Sequence, residues 1–151
     1  MTAFKRILII LIIMLLLAAL VIYVLNTACS SEAIHEIPSG YTSKETHWDP
    51  NGGQDYTDYC KYTYKDASGF AGNKDYNKAA AADIETIKGY FANFREWMSV
   101  EDRLDEYDFD PACIDTEDYF RLTERYPNYD DYTLWFFDMQ TLTLYYIHTN
   151  I

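Results

Sequence analysis

Tyr132-Thr-Leu-Trp-Phe-Phe137 and Leu142-Thr-Leu-Tyr-Tyr-Ile-His148 are two aromatic and β-branched runs separated by Asp138-Met-Gln-Thr141. Residues of these types fit a pleated, half-buried surface, and a four-residue connection between such runs reads as a hairpin. Just upstream, Tyr119 to Glu124 alternates Phe120 and Leu122 with Arg121 and Thr123, the period of a strand. Tyr126-Pro-Asn-Tyr-Asp-Asp131 is turn-forming. Together these segments predict a three-stranded antiparallel meander. Leu134 and Phe136 fall on one face of the hairpin and Trp135 and Phe137 on the other, so both faces call for a cover.

The cover is sought upstream. Ile84, Ile87, Tyr90, Phe91, Phe94, Trp97 and Met98 lie on one stripe at helical spacing, with Glu85, Lys88, Asn93 and Glu96 opposite. Asp83 is a candidate N-cap. Further back, Tyr56, Tyr59, Cys60 and Tyr64 recur at i, i+3, i+4 and i+8, which predicts a second helix, with a strand as the rival because Tyr62 and Tyr64 also alternate. Trp48 to Gly53 is a turn cluster, and Ala67 to Lys74 a loop. The expected fold class is α+β: two helices on a three-stranded antiparallel meander over residues 48–151, preceded by a single transmembrane helix.

That first helix is Ile7 to Leu25, a run with no charge, proline or glycine. At about 1.5 Å per residue it spans roughly the hydrocarbon thickness of a bilayer. Lys5 and Arg6 precede it, which puts residues 1–6 in the cytoplasm and the rest of the chain outside. The segment can be retained as a signal anchor, cleaved as a secretory signal, or cleaved before a lipidated Cys29. Its length exceeds the usual apolar core of a cleaved signal. Asn26-Thr27-Ala28-Cys29 resembles a lipobox at Ala28 and Cys29 but has Asn26 where an aliphatic residue is usual. Residues 26–47 are small and polar, with Pro38-Ser39-Gly40 as a break, and read as a flexible stalk.

The whole chain carries −12; leaving out Lys5 and Arg6, 10 basic face 24 acidic residues. This balance excludes nucleic acid as a partner and favours a solvated domain, a basic protein or a cation. With 15 Tyr, 8 Phe and 3 Trp, the acidic chain has the apolar material for a folded core.

Candidate sites are few. Asp102, Asp105, Glu106, Asp108 and Asp110 form an acidic surface for a partner. Neither Asp108-x-Asp110-x-Ala112 nor Asp49-x-Asn51-x-Gly53-x-Asp55 completes a Ca²⁺ loop, so no cofactor or metal is expected. Cys60 and Cys113 can bridge outside the cytoplasm or be buried thiols. No Gly-x-Ser-x-Gly, His-Glu-x-x-His, Cys-x-x-Cys or Walker sequence occurs. The expectation is a non-enzymatic, membrane-tethered extracytoplasmic domain that binds a protein or cell-envelope ligand. The alternatives are an acidic inhibitor or immunity protein against a basic secreted enzyme, and a small hydrolase using His148 or paired carboxylates.

Overall fold

The computed structural model describes residues 12–22, 35–48, 56–126 and 131–151. Two compact units divide the chain, Met1–Ser39 and Gly40–Ile151. In the first, residues 12–22 are helical, and every one of those side chains is exposed. Among the described residues no helix is long and apolar enough to cross a membrane.

The second unit is built on a six-stranded antiparallel sheet in the order β1-β2-β6-β5-β4-β3. Its strands are β1 (Tyr41–His47), β2 (Tyr56–Tyr64), β3 (Asn77–Lys78), β4 (Tyr119–Tyr126), β5 (Asp131–Asp138) and β6 (Thr143–Asn150). Among the described residues the unit also holds one long helix, α1 (Ala81–Val100), and two single 3₁₀ turns, Leu104–Glu106 and Pro111–Cys113. The expected three-stranded meander with two helices is thus corrected to a six-stranded sheet with one long helix and two 3₁₀ turns among the described residues.

Of the three added strands, β3 is a two-residue pairing with β4, and the two longer ones escape the sequence pattern for a physical cause. Gln54 to Tyr64 was expected to be helical, yet Tyr56–Tyr64 is β2, paired with β1 on one side and β6 on the other. An inner strand covered on both faces carries large apolar side chains at odd and even positions, so its period of two is hidden and helical spacings arise by coincidence. Tyr41–His47, expected in the stalk, is an edge strand with mostly exposed side chains, so it shows no apolar alternation.

α1 forms where its stripe predicts. Ile87, Tyr90, Phe91, Phe94 and Met98 are buried. The helix starts after Ala80, and Asp83 acts three residues later, its carboxylate accepting the Ala80 N–H at 2.9 Å. The buried side chains of α1 meet Tyr59, Tyr132, Leu134, Phe136 and Ile147 from one face of the sheet, with Phe109 from the connecting segment. Phe91 stacks on Phe109 at 3.8 Å and meets Phe136 edge-on at 5.7 Å. The Tyr132 hydroxyl donates to the Tyr90 carbonyl at 2.8 Å. On the other face, Phe70 stacks on Phe137 at 3.8 Å and packs edge-on against Tyr64 and Tyr76.

Candidate functional site

Successive side chains of a strand alternate between faces, so residues paired across the sheet form rows on one face. On the helix-bearing face, one row reads His47, Tyr59, Ile147, Leu134 and belongs to the core apart from its edge. The next row reads Glu45, Lys61, Tyr145, Phe136, and the one beyond it Ser43, Thr63, Thr143 and the buried Asp138. Within two rows the face passes from aromatic core to hydroxyls and charges. There it opens into a groove of about 380 Å³, closed at the sides by Asp108 and Thr141.

Lys61 is the hub of the groove. Its Nζ lies 2.8 Å from Glu45 Oε2 and 2.6 Å from Asp108 Oδ2. The other Asp108 oxygen accepts from the Tyr59 hydroxyl at 2.7 Å, and the other Glu45 oxygen lies 3.0 Å from His47 Nε2. Burial alone would lower the pKa of the Lys61 ammonium, but its hydrogen bonds to Asp108 and Glu45 outweigh that and raise it. Burial would raise Asp108, yet the bonds from Lys61 and Tyr59 hold it below the usual carboxylate range. Glu45 is lowered by its bonds with Lys61 and His47. Burial foremost pushes the Tyr145 hydroxyl up to about 12, so it stays a neutral phenol at physiological pH. Asp118, fully buried, accepts from the Asp115 N–H at 2.8 Å and the Met139 N–H at 3.0 Å, fixing the β5–β6 turn that brings Thr141 to the groove.

Beside the groove, Arg103 ties three segments together. Its guanidinium donates twice to Glu106 Oε2, at 2.9 and 2.7 Å, and to the carbonyls of Thr57 (2.7 Å) and His47 (3.1 Å). Glu101 lies 3.2 Å away and also accepts from the Thr57 hydroxyl. This clamp holds the Leu104–Glu106 turn, and with it Asp108, against β1 and β2.

The predicted acidic surface is therefore divided. Glu106 is engaged by Arg103 and Asp108 by Lys61, while Asp110 caps the Pro111–Cys113 turn by accepting the Ala112 N–H at 2.9 Å. Asp102 and Asp105 are exposed. Among the described residues no group of three or more His, Cys, Asp or Glu side chains is placed to hold a metal ion. Cys29 and Asp49 to Asp55 lie outside the described residues.

Cys60 and Cys113 are both free thiols. Cys113 packs against the helix-side core, whereas Cys60 alternates with Tyr59 on β2 and so points to the opposite face. The sheet separates them. It also separates Cys113 from His148, which alternates with the core residue Ile147. Burial and the carboxylates of Asp138, Asp118 and Asp110 push the Cys113 thiol up to about 12, the reverse of an activated nucleophile. His148 Nδ1 lies 3.1 Å from the Tyr132 carbonyl and 2.8 Å from Thr133 Oγ1. Its Nε2 lies 2.9 Å from the Tyr56 hydroxyl. Trp48 packs edge-on against Tyr146 at 5.6 Å.

Sequence reasoning missed the groove. Glu45 and Ser43 lay in the presumed stalk, and Lys61 in the presumed helix. The available signal was Lys61 itself, a single cation inside a run of tyrosines. Compared with known proteins, the chain matches no family model, no curated protein and no solved structure.

Proposed function

We propose that this protein is a membrane-tethered, non-catalytic domain that binds a protein or cell-envelope ligand outside the membrane, with the groove beside α1 as its binding face. The observation that carries this reading is the groove. Strand rows that are core under the helix become hydroxyls and a Glu45–Lys61–Asp108 array where the helix no longer covers them. A sheet face left polar, concave and held by a clamp suits recognition, because its groups are ordered before a ligand arrives. The tether rests on Ile7–Leu25 and on Lys5 and Arg6. The described helical part of that run, 12–22, is wholly apolar.

The test is capture from solubilised envelope material by the full chain in lipid nanodiscs, at low and high salt. Capture that is lost with Lys61→Gln and Thr143→Val supports the reading; capture indifferent to both defeats it. The second reading, an acidic inhibitor of a basic protein, draws on the exposure of Asp102 and Asp105. It predicts capture that collapses with salt and with Asp102→Asn and Asp105→Asn but survives the groove changes.

A further inference from the structure

We infer that the groove beside α1 is a saccharide site that takes a neutral, polyhydroxylated ligand; this rests on the reading of that face as a binding face. Three properties of the groove select this class. First, its hydrogen-bonding groups come in mixed polarity at close spacing. Ser43, Thr63 and Thr143 place three hydroxyls in one row; that of Thr143 donates to the Thr141 carbonyl at 3.3 Å and keeps its lone pairs for a ligand. In the next row Lys61 donates between two carboxylates that accept. Vicinal sugar hydroxyls, each a donor and an acceptor, can satisfy such a surface without leaving a charge unpaired.

Second, the charge disfavours the other polar classes. Lys44 and Lys61 balance Glu45 and Asp108, so the lining offers no net positive charge, and the chain's −12 opposes phosphates and sugar acids. An ammonium ligand would have to enter beside the Lys61 Nζ, already 2.6 Å and 2.8 Å from the carboxylates it would seek. A neutral hydroxyl meets neither penalty. Third, the walls lack the apolar area a hydrophobic ligand needs, with Tyr145 the single ring among the described lining residues. At about 380 Å³ and open on one side, the groove lies at the small end of ligand sites.

The experiment follows threonine methyl resonances of the full chain in lipid nanodiscs, avoiding sugar-based detergents. The probes are a neutral tetramer of N-acetylglucosamine and a neutral tetramer of glucose, with glucosamine and glucuronate as charged controls. The expected result is saturable shifts at Thr63 and Thr143 with a neutral tetramer, at concentrations at least tenfold below those at which either charged control acts. Thr143→Val and Tyr145→Phe, which keep side-chain shape, should each weaken binding about fivefold, and Lys61→Gln tenfold or more. Unchanged methyl resonances elsewhere show that each variant is folded. No saturable shift with either tetramer, shifts unaltered by the variants, or tighter binding of a charged control overturns the inference. If no sugar binds while envelope capture still depends on Lys61, the ligand class is wrong and the binding face stands. If capture ignores the groove, the binding face itself fails.

Discussion

β2 and β6 each run through two environments on a single face, and the contrast between them organises the domain. Under α1, Tyr59 and Ile147 are fully buried among Phe94, Leu134 and Met98. One row further, the same strands present Lys61 and Tyr145, and then Thr63 and Thr143, to an open groove. Backbone pairing is continuous across the boundary, so the sheet does not cause the change. Side-chain chemistry does, together with the reach of the helix. The seam is two consecutive residues: Asp108 reaches Lys61, while Phe109 stacks on Phe91. Core and site thus share a scaffold, and stability and recognition can be changed separately.

Substitutions on the two sides of the seam should separate these properties. The largest effect belongs to the core. Phe91→Ala or Phe136→Ala removes a fully buried ring and should cost about 3–5 kcal/mol in urea unfolding. Thr143→Val in the groove should stay within about 0.5 kcal/mol. Comparable losses would show that the groove is core after all.

Next comes the clamp at the border. Arg103→Met leaves two carboxylates and two backbone carbonyls without their donor, and should cost about 2–3 kcal/mol by the same measurement. A change below about 0.5 kcal/mol would mean that solvent replaces the guanidinium without penalty.

Smaller again is Lys61→Met, worth less than about 1 kcal/mol at neutral pH because Glu45 and Asp108 are largely solvated. Its pH dependence is the sharper measurement. Both carboxylates titrate below their usual range in the folded chain. Their contribution is therefore present above the unfolded values near about 4 and is lost as pH falls through the lowered folded values. The raised Lys61 value sets the other limit, with loss as pH climbs through it, above about 10.4. The stability difference between the wild type and this variant should fade at both ends. A difference that grows in acid contradicts the assignment.

The thiols should show no stability effect at all. Intact mass should be the same with and without reductant. Iodoacetamide should leave Cys60 unmodified until unfolding and modify Cys113 slowly, since Cys60 is fully buried and the Cys113 thiol is pushed up to about 12. A reductant-sensitive bond mapped to Cys60 and Cys113 would require the sheet to open.

What could be read from the residues follows the same boundary. The α1 stripe and the segments of β4, β5 and β6 were legible, because each buries one identifiable set of residues or joins its neighbour through a short turn. β2 was misread because tyrosines serve both of its faces. β1 was missed for the opposite reason: Tyr41–His47 buries almost nothing and carries no apolar period. The groove inherits both blind spots, since its carboxylate Glu45 sits on β1 and its ammonium Lys61 on β2. Their pairing is a fact of register, and register between strands separated by masked hydrophobic patterns cannot be counted from spacing. Arg103 was hidden differently, because its acceptors at His47 and Thr57 are backbone carbonyls, which no residue identity announces.

One wall of the groove stands on an edge strand. Among the described residues β1 pairs with β2 alone, and its register shifts between Tyr41 and Ser43. Edge strands fray at lower free energy than inner ones, and anything that binds one conformation draws the population towards it. When β1 frays, Ser43 and Glu45 leave together and Lys61 keeps one carboxylate instead of two. A molecule bridging Ser43 to Thr63 therefore acts as a stitch along that hem. Its presence should register first as slowed amide exchange in Tyr41–His47, ahead of any change under the helix.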